Sequence, residues 1–367
     1  MSDAAIIGAG KTGRGFLARL LSETQGAYGK IILIDRDEEL VDRLNREKHF
    51  EVSFFGNTRK PQTVSGFEAY TWENRGLQEA LNRCEVIFVS VGGQNLKDVG
   101  ERLKRLVPLS ARAVITAENA SHPAETLKGY LGENTAIAEG TVFCTTTEAE
   151  GLNISSENYP YFQCDKDALR GWEPSCDRIR PVAAFGDFLM RKLYTYNAAS
   201  CVIAYLGFVK GYTEYSDAAN DAEILQLLDA NYAATNSVLC REFGYDPEDQ
   251  EEFAALSRAK FLDRTIRDTV ARNGRDPQRK LAPGERIMGP IALLRKYGED
   301  ASVLERTAAA ALLFDDGKES AWNRIRKEKS PGEILTDVCG LKPEDDSYGS
   351  ILQKYAELNS ARKSNKN

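Results

Sequence analysis

The order of hydrophobic and polar residues changes character about halfway along the chain. In the first half, short and nearly continuous apolar runs alternate with segments in which apolar residues recur every three or four positions. Continuous apolar runs are typical of strands buried on both faces of a parallel sheet. Five such strands are predicted, in "AAIIGAG", "KIILID", "CEVIFVSVG", "RAVITAEN" and "TAIAEGTVF". Strands that alternate with helices predict a doubly wound parallel α/β sheet.

From about residue 187 onwards, helical periodicity dominates and few strand signals remain. We therefore predict an α/β domain over residues 1–185, a mostly α-helical domain over 186–360 and a flexible tail over 361–367. The boundary falls in the Pro- and Gly-containing stretch "RPVAAFGD". Residues 151–180 show neither the strand nor the helix pattern of apolar residues. They fit a β-hairpin and an irregular insertion equally well.

Charge and cysteine content limit the classes of function. The formal net charge of the 367 residues is -7, which argues against a nucleic-acid partner. Seven scattered cysteines without a C-x-x-C pair indicate reduced thiols and no metal site. No apolar stretch is long enough to span a membrane, and the N-terminus lacks the pattern of a signal peptide. These features predict a cytoplasmic protein, either a monomer or a small homo-oligomer, that binds a small molecule.

A glycine motif follows the first predicted strand. In "IIGAGKTGRG", Gly8, Gly10 and Gly13 have G-x-G-x-x-G spacing, and the second predicted strand ends in Asp35. This context predicts a Rossmann dinucleotide site: a tight turn, close approach of backbone to the pyrophosphate, and close helix–strand packing. Asp35 would bind the ribose hydroxyls and favour NAD over NADP, although the adjacent Arg36 suits the 2′-phosphate of NADP.

Further cofactor contacts are expected where strands of the sheet end. In doubly wound sheets the ligand lies outside the carboxyl ends of the strands. Val91 and Gly92 end one strand, and Glu118 and Asn119 end the next, near the expected position of the nicotinamide. Asn119 is alternatively a helix cap, a role that Ser121 also fits. Inside the glycine turn, contacts are expected from Lys11 and Thr12.

Three polar residues interrupt the apolar stretch "RKLYTYNAASCVIAYLG". On a regular α-helix Lys192, Ser200 and Asn197 would lie at about 0°, 80° and 140°, in one sector. A dehydrogenase needs a base for the hydroxyl proton and donors for the oxygen of the alkoxide or carbonyl. A lysine whose pKa is lowered by burial can be that base, and amides can be the donors. The alternative is a solvated lysine and a capping asparagine.

Four segments together resemble the polyol-specific long-chain dehydrogenases, which include mannitol-1-phosphate 5-dehydrogenase. They are "GAGKTGRGF", "AEN", the helix above and "RDPQRKLAPGERIMGPI", spread in the family's order from residue 6 to about 298. The resemblance implies a Rossmann domain, a helical substrate domain and a metal-independent mechanism. It implies Lys192 as general base, and Asn197 and Asn119 as the oxyanion hole.

The sequence departs from the family pattern at two places. Ser200 stands where the family has a substrate-binding histidine, and "CTTTEAE" stands where an Asp-Arg pair is common. His122 is a candidate to replace the imidazole, or else a surface histidine. The resemblance also gives Arg286 as a candidate to bind a phosphate or carboxylate, or else to form a salt bridge.

Three functions fit these features. The first is an NAD-dependent oxidoreductase that interconverts a secondary alcohol and a ketone on a polyol, sugar phosphate or sugar acid. The second is a sugar epimerase or isomerase that works through a transient ketone with tightly bound NAD. The third is a non-catalytic NAD-binding protein, against which the retained Lys192 and Asn197 argue.

Overall fold

In a computed structural model, the apolar runs of the first half pair into one eight-stranded sheet, sheet A. The structure describes residues 1–106, 112–119, 122–132, 135–315, 317 and 319–364. Within it the chain separates into two units, Met1–Phe188 and Leu189–Asn367. Ser121, a predicted helix cap, lies outside the described residues, as does the end of the predicted tail.

The first unit is an α/β domain built on sheet A, whose strand order is β12-β11-β8-β7-β6-β1-β2-β5. Six of its neighbouring pairs are parallel, and β11 runs antiparallel to β8. The strands of this unit are β1 Asp3–Ile7, β2 Ile31–Ile34, β3 His49–Phe54, β4 Gln62–Ser65, β5 Phe67–Tyr70, β6 Cys84–Val89, β7 Ala113–Ala117, β8 Ala136–Thr141, β9 Thr146–Glu148, β10 Ile154–Ser156, β11 Phe162–Asp165 and β12 Ile179–Val182. The predicted doubly wound parallel sheet is therefore confirmed.

Helices cover sheet A because its strands alternate side chains between two apolar faces. One face, which includes Ile7, Ile34 and Val89, packs against three of these helices in a continuous buried cluster. Elsewhere in the core of this unit, the Phe162 ring lies edge-on to the rings of Phe16 and Phe88. The helices of this unit are α1 Arg19–Glu23, α2 Glu38–Glu47, α3 Leu77–Asn82, α4 Leu96–Arg105 and α5 Pro123–Leu131, with a π-helical segment Gly13–Ala18 directly before α1.

A second sheet, sheet B, was not predicted. Its strand order is β4-β3-β10-β9, and β10 pairs parallel to β3 over Ile154–Ser156 and Val52–Phe54. The unpatterned stretch 151–180 thus supplies β10 to sheet B, and β11 and part of β12 to the edge of sheet A. The segment "CTTTEAE" contains β9, which pairs antiparallel with β10.

Within the described residues, the secondary structure of the second unit is helical apart from an isolated β-bridge between Glu214 and Thr269. Its long helices bury apolar faces around α7, which is buried on nearly all sides. The helices are α6 Phe185–Lys192, which begins in the first unit, α7 Ala198–Lys210, α8 Tyr215–Ala219, α9 Ala222–Phe243, α10 Pro247–Leu262, α11 Val270–Gly274, α12 Pro277–Lys280, α13 Met288–Tyr297, α14 Ser302–Leu313, α15 Ala321–Glu328, α16 Pro331–Asp337 and α17 Asp346–Ser364. The predicted tail 361–367 overlaps the end of α17. None of the described helices is both long and apolar enough to cross a membrane.

Candidate functional site

The glycine turn after β1 has the geometry that a dinucleotide requires. Gly8 has a φ of 97°, and a Cβ on it would lie 2.0 Å from the Ser90 carbonyl oxygen. A Cβ on Gly13 would lie 1.9 Å from the Gly8 carbonyl oxygen, so the helix and strand meet where only glycine fits. A Cβ on Gly10, by contrast, would meet nothing within 4 Å. The turn is therefore closed where it packs and open where a pyrophosphate would approach.

The Arg14 side chain holds this turn in place through hydrogen bonds, and sequence reasoning did not identify Arg14. Its side chain is buried and donates to the carbonyl oxygens of Ala9 and Leu152, the latter at 3.2 Å. Burial lowers the pKa of the Arg14 guanidinium, and the charges of Glu148 and Asp35 oppose that shift. The guanidinium thus links the glycine turn to the start of β10. Leu152 is 138 residues away in sequence, so no local pattern predicts this contact.

Asp35 lies beside the turn, in a cavity of about 230 Å³. One carboxylate oxygen of Asp35 accepts a hydrogen bond from the Asp37 N–H at 3.1 Å. Arg36 lines the same cavity, so both sequence candidates for ribose or phosphate recognition lie at it. Sequence reasoning missed several other residues that line the cavity. The sequence could have indicated them only by their position, after β5 or at the start of α4: Trp72, Asn95, Asp98 and Val99.

Glu118 holds the loop that follows β6. Its carboxylate accepts hydrogen bonds from the backbone N–H groups of Val91, at 2.6 Å, and Gly92, at 2.8 Å. Burial raises the pKa of Glu118, while these two bonds oppose the shift. The structure therefore gives Glu118 a bond within the domain, between the ends of two neighbouring strands. Asn119, the next residue, is exposed.

The remaining sequence candidates of the first unit lie at its surface. Lys11 is exposed and Thr12 is partly exposed at the start of the helix after the turn. His122 is exposed and occupies the N-cap position of α5 with a φ of 46°. That left-handed conformation is uncommon for a residue with a side chain.

The polar helix of the second unit is not a regular α-helix. Between α6 and α7 lies a π-helical turn, Leu193–Asn197, closed by a hydrogen bond from the Ala198 N–H to the Leu193 carbonyl. Residues five apart lie above one another in such a turn, which is the spacing of Lys192 and Asn197. The predicted separation of about 140° between these two side chains assumed a continuous α-helix and is wrong.

These polar residues form a stripe of accessible positions on a buried helix. From Tyr194 to Gly207, only Asn197 and Ser200 are partly accessible, and Lys192 precedes them. Ser200 follows Asn197 by three residues, so the two are neighbours on the helix surface. We call Lys192, Asn197 and Ser200 the polar stripe.

The amine of Lys192 is the most strongly perturbed group of the stripe. Burial, together with the positive charges of Lys260 and Arg286, lowers its pKa from 10.5 to about 7. An amine with that pKa can accept and release a proton near neutral pH. A second buried amine, Lys280, also has a lowered pKa, and it donates to the Asn273 carbonyl.

Buried polar bonds behind the stripe hold the π-turn in place. The Gln250 side chain accepts from Arg191 Nε at 2.7 Å and donates to the Thr195 hydroxyl at 3.1 Å. It also donates to the Asn236 amide oxygen at 2.8 Å. Gln250 therefore bridges the residues on both sides of Lys192. Arg286 forms a salt bridge of 3.2 Å with Glu285, the alternative that the sequence allowed.

Known proteins resemble both units. Residues 4–160 match the family model of ketopantoate reductase PanE/ApbA, and residues 185–338 match that of the mannitol dehydrogenase C-terminal domain. A mannitol-1-phosphate 5-dehydrogenase of Podospora anserina is 28% identical over 94% of this chain and 94% of its own. One from Paenarthrobacter aurescens is 29% identical over 95% of this chain and 97% of its own.

Solved structures show the same fold. Substrate-free D-sorbitol dehydrogenase superposes with a TM-score of 0.76 at 13% identity, covering 97% of this chain and 92% of that chain. Mannitol 2-dehydrogenase of Pseudomonas fluorescens, solved as a ternary complex with NAD and D-mannitol, gives a TM-score of 0.64 at 13% identity, with coverages of 98% and 92%.

The fold and these similarities together indicate an oxidoreductase with a dinucleotide-binding unit and a helical unit. More narrowly, the chain is an NAD-dependent polyol dehydrogenase that carries a mannitol dehydrogenase C-terminal domain over residues 185–338 and is similar to mannitol-1-phosphate 5-dehydrogenases along most of its length.

Replacing Asp35 tests the preference for NAD. Asp35→Ser should weaken NAD binding by about tenfold to a hundredfold, because it removes a hydrogen-bonding carboxylate. It should also strengthen NADP binding, because Arg36 then faces the 2′-phosphate without a competing negative charge. Calorimetric titration with both dinucleotides measures this. Asp37→Ser is the matched control, since Asp37 caps α2 and does not line the cavity. Unchanged NAD affinity in Asp35→Ser would contradict the assignment.

The burial of Lys192 should also lower the stability of the fold. Its folded pKa, about 7, is below the ordinary 10.5, so the unfolded chain binds more protons between these values. The loss of folding stability caused by the buried amine is complete below pH 7, and it disappears as the pH rises toward 10.5. Lys192→Met should therefore stabilise the protein by on the order of 4 kcal/mol at pH 6.5, and by less at pH 9.5.

Thermal unfolding at the two pH values measures this difference. The control is Lys210→Met, which removes a lysine paired with Asp221 and Glu223 and should slightly lower the unfolding temperature. A Lys192→Met variant with the same gain at both pH values would show that its amine is not desolvated.

Proposed function

We propose that this enzyme interconverts a secondary alcohol and a ketone on a polyol that carries an anionic group, with NAD as the hydride acceptor or donor. Lys192 is the general base in this proposal, and the amide of Asn197 holds the reacting oxygen. Asn119 keeps the role that the family resemblance implies, as a second amide donor to that oxygen.

The polar stripe carries the proposal. Asn197 and Ser200 leave an amide and a hydroxyl partly accessible on a mostly buried helical stretch, and the Lys192 amine that precedes them has a pKa of about 7. The positive charges of Lys260 and Arg286 add to the effect of burial on this pKa.

The roles follow from the charge that develops on the substrate. In the oxidation direction, the neutral Lys192 amine accepts the hydroxyl proton while NAD, when bound, accepts the hydride. The Asn197 amide donates to the substrate oxygen as its negative charge grows, which lowers the barrier. In the reduction direction, the Lys192 ammonium returns the proton. Lysine and amide are held on one rigid helix, so their spacing does not depend on a loop.

Two cations near Lys192 favour an anionic substrate. Lys260, in the last turn of α10, and Arg286 both act electrostatically on the Lys192 amine. A phosphate or carboxylate on the substrate would be attracted to these two cations, of which Arg286 also pairs with Glu285. The two relatives described above are named for a phosphorylated polyol, mannitol 1-phosphate. We therefore infer a phosphorylated or carboxylated polyol as the substrate class.

A substrate panel with NAD tests the proposal. Mannitol 1-phosphate, other polyol phosphates, aldonates and the corresponding neutral polyols are assayed by NADH absorbance. We expect NADH to accumulate with an anionic member of the panel. Conversion of a sugar without net NADH would instead show an epimerase or isomerase. NAD binding without turnover on any member of the panel would support a non-catalytic role.

Lys192 variants test the base with the substrate that the panel identifies. Lys192→Ala should lose about 10²–10⁴-fold in kcat while NAD affinity is retained, and Lys192→Arg should be nearly as impaired because guanidinium stays protonated. In the wild type, kcat/KM for oxidation should rise with pH through about 7, since the amine must be neutral, and kcat/KM for reduction should fall. Turnover of Lys192→Ala close to wild type would move the base elsewhere, with His122 the next candidate.

Arg286 variants test the anion assignment. Arg286→Gln should raise KM for the anionic substrate at least about tenfold and change KM for a neutral polyol little, because only the anion loses an ionic contact. It should also move the pH midpoint of oxidation upward, since a cation near Lys192 is removed. Arg279→Gln, a change of a more exposed arginine, is the control. Equal KM changes for charged and neutral substrates would contradict the assignment.

A further inference from the structure

The hydroxyl of Ser200 is held by a second hydroxyl that sequence analysis did not reveal. The Tyr215 O–H donates to Ser200 Oγ at 3.1 Å, across fifteen positions of sequence. Tyr215 is buried, and burial keeps its pKa well above the ordinary value, so it stays a protonated donor at every working pH.

Tyr215 is itself fixed firmly. Its backbone N–H donates to the Asp268 carbonyl at 3.0 Å, and the adjacent Glu214 forms a β-bridge with Thr269. The Tyr215 ring lies edge-on to Phe261, with 5.9 Å between ring centroids. Phe261 also contacts the ring of Tyr196, the residue before Asn197. The hydroxyl of Tyr215 therefore has a defined position relative to the polar stripe.

This bond leaves the hydrogen of the Ser200 hydroxyl available. Because Tyr215 donates, Ser200 Oγ acts as acceptor in the pair and keeps its own O–H as a donor. A serine inside a helix often donates to a backbone carbonyl four residues earlier. Within the described part of the chain, however, the Ser200 hydroxyl bonds to Tyr215 and to no helix carbonyl. It is partly accessible, next to Asn197.

We propose that Tyr215 is a positioning residue, which holds the Ser200 hydroxyl so that its remaining hydrogen bonds to a substrate hydroxyl near the reacting carbon. This assignment rests on the proposed function of the polar stripe. Both members of the pair are uncharged, so they add no ionisation to that of Lys192. Their contribution is to substrate orientation, and it is the same across the neutral pH range.

The unit contains a matched hydroxyl pair for comparison. Tyr232 and Ser257 share a hydrogen bond of 2.5 Å, and both residues are buried. Ser257 has no exposed surface, so this second pair cannot reach a substrate. Removing the hydroxyl of Tyr232 therefore measures the cost of a lost buried Tyr–Ser bond without the loss of a substrate contact.

The test compares Tyr215→Phe, Ser200→Ala, the double variant and Tyr232→Phe in the full-length enzyme with NAD and the substrate from the panel. Tyr215→Phe and Ser200→Ala should each lower kcat/KM about threefold to tenfold, mainly by raising KM, and the double variant should be no worse than Ser200→Ala. The pH midpoint set by Lys192 should not move. Tyr232→Phe should lower the unfolding temperature but leave kcat and KM unchanged.

Three results would overturn the proposal while the wild type remains active. The first is an unchanged KM in Tyr215→Phe. The second is a double variant whose loss in kcat/KM equals the product of the losses in Tyr215→Phe and Ser200→Ala. The third is a KM change in Tyr232→Phe equal to that in Tyr215→Phe. Ser200→His supplies a positive control, because an imidazole here should add a second ionisation to the pH profile. A wild-type enzyme inactive on every compound would overturn the proposed function, and this inference with it.

Discussion

The burial of one primary amine in a helical interior is the constraint around which the second unit is organised. Lys192 ends α6, directly before the π-turn and the buried helix α7, and the cations near it disfavour its charged form. Keeping it there requires a neutral amine near pH 7 and surrounding helices that do not rearrange to release it. The polar bonds of Gln250 secure the helix on both sides of the amine, and the π-turn aligns it with Asn197. Stability and reactivity are thus set by the same desolvation.

The dinucleotide turn obeys a different kind of constraint, which is steric and local. Gly8 and Gly13 are required because backbone atoms lie where a Cβ would be, whereas Gly10 leaves space. These steric requirements involve residues close together in sequence, which explains why the turn can be predicted from the sequence alone. Arg14 adds a long-range element, since it ties the turn to Leu152.

The same contrast explains what the sequence could and could not predict. Continuous apolar runs gave the parallel strands of sheet A, and the spacing of Lys192 and Asn197, with the family resemblance, gave the proposed base and amide. The π-turn could not be foreseen, because its extra residue per turn is stabilised by bonds to Gln250 in another helix. The pairing of β10 with β3 joins segments about a hundred residues apart. The Tyr215–Ser200 bond likewise depends on how α8 packs against α7.

Sheet B also has a consequence for how the protein is made. Its strand β3 emerges from the ribosome long before β10, which pairs with it over Val52–Phe54, and Leu152 lies just before β10. During synthesis the glycine turn therefore exists as sequence well before Arg14 has its distant acceptor. Such non-local pairing slows folding, because the chain between the partners must first be closed into a loop. The cofactor turn, although encoded within the first fifteen residues, acquires its full set of bonds only when most of the first unit has been synthesised.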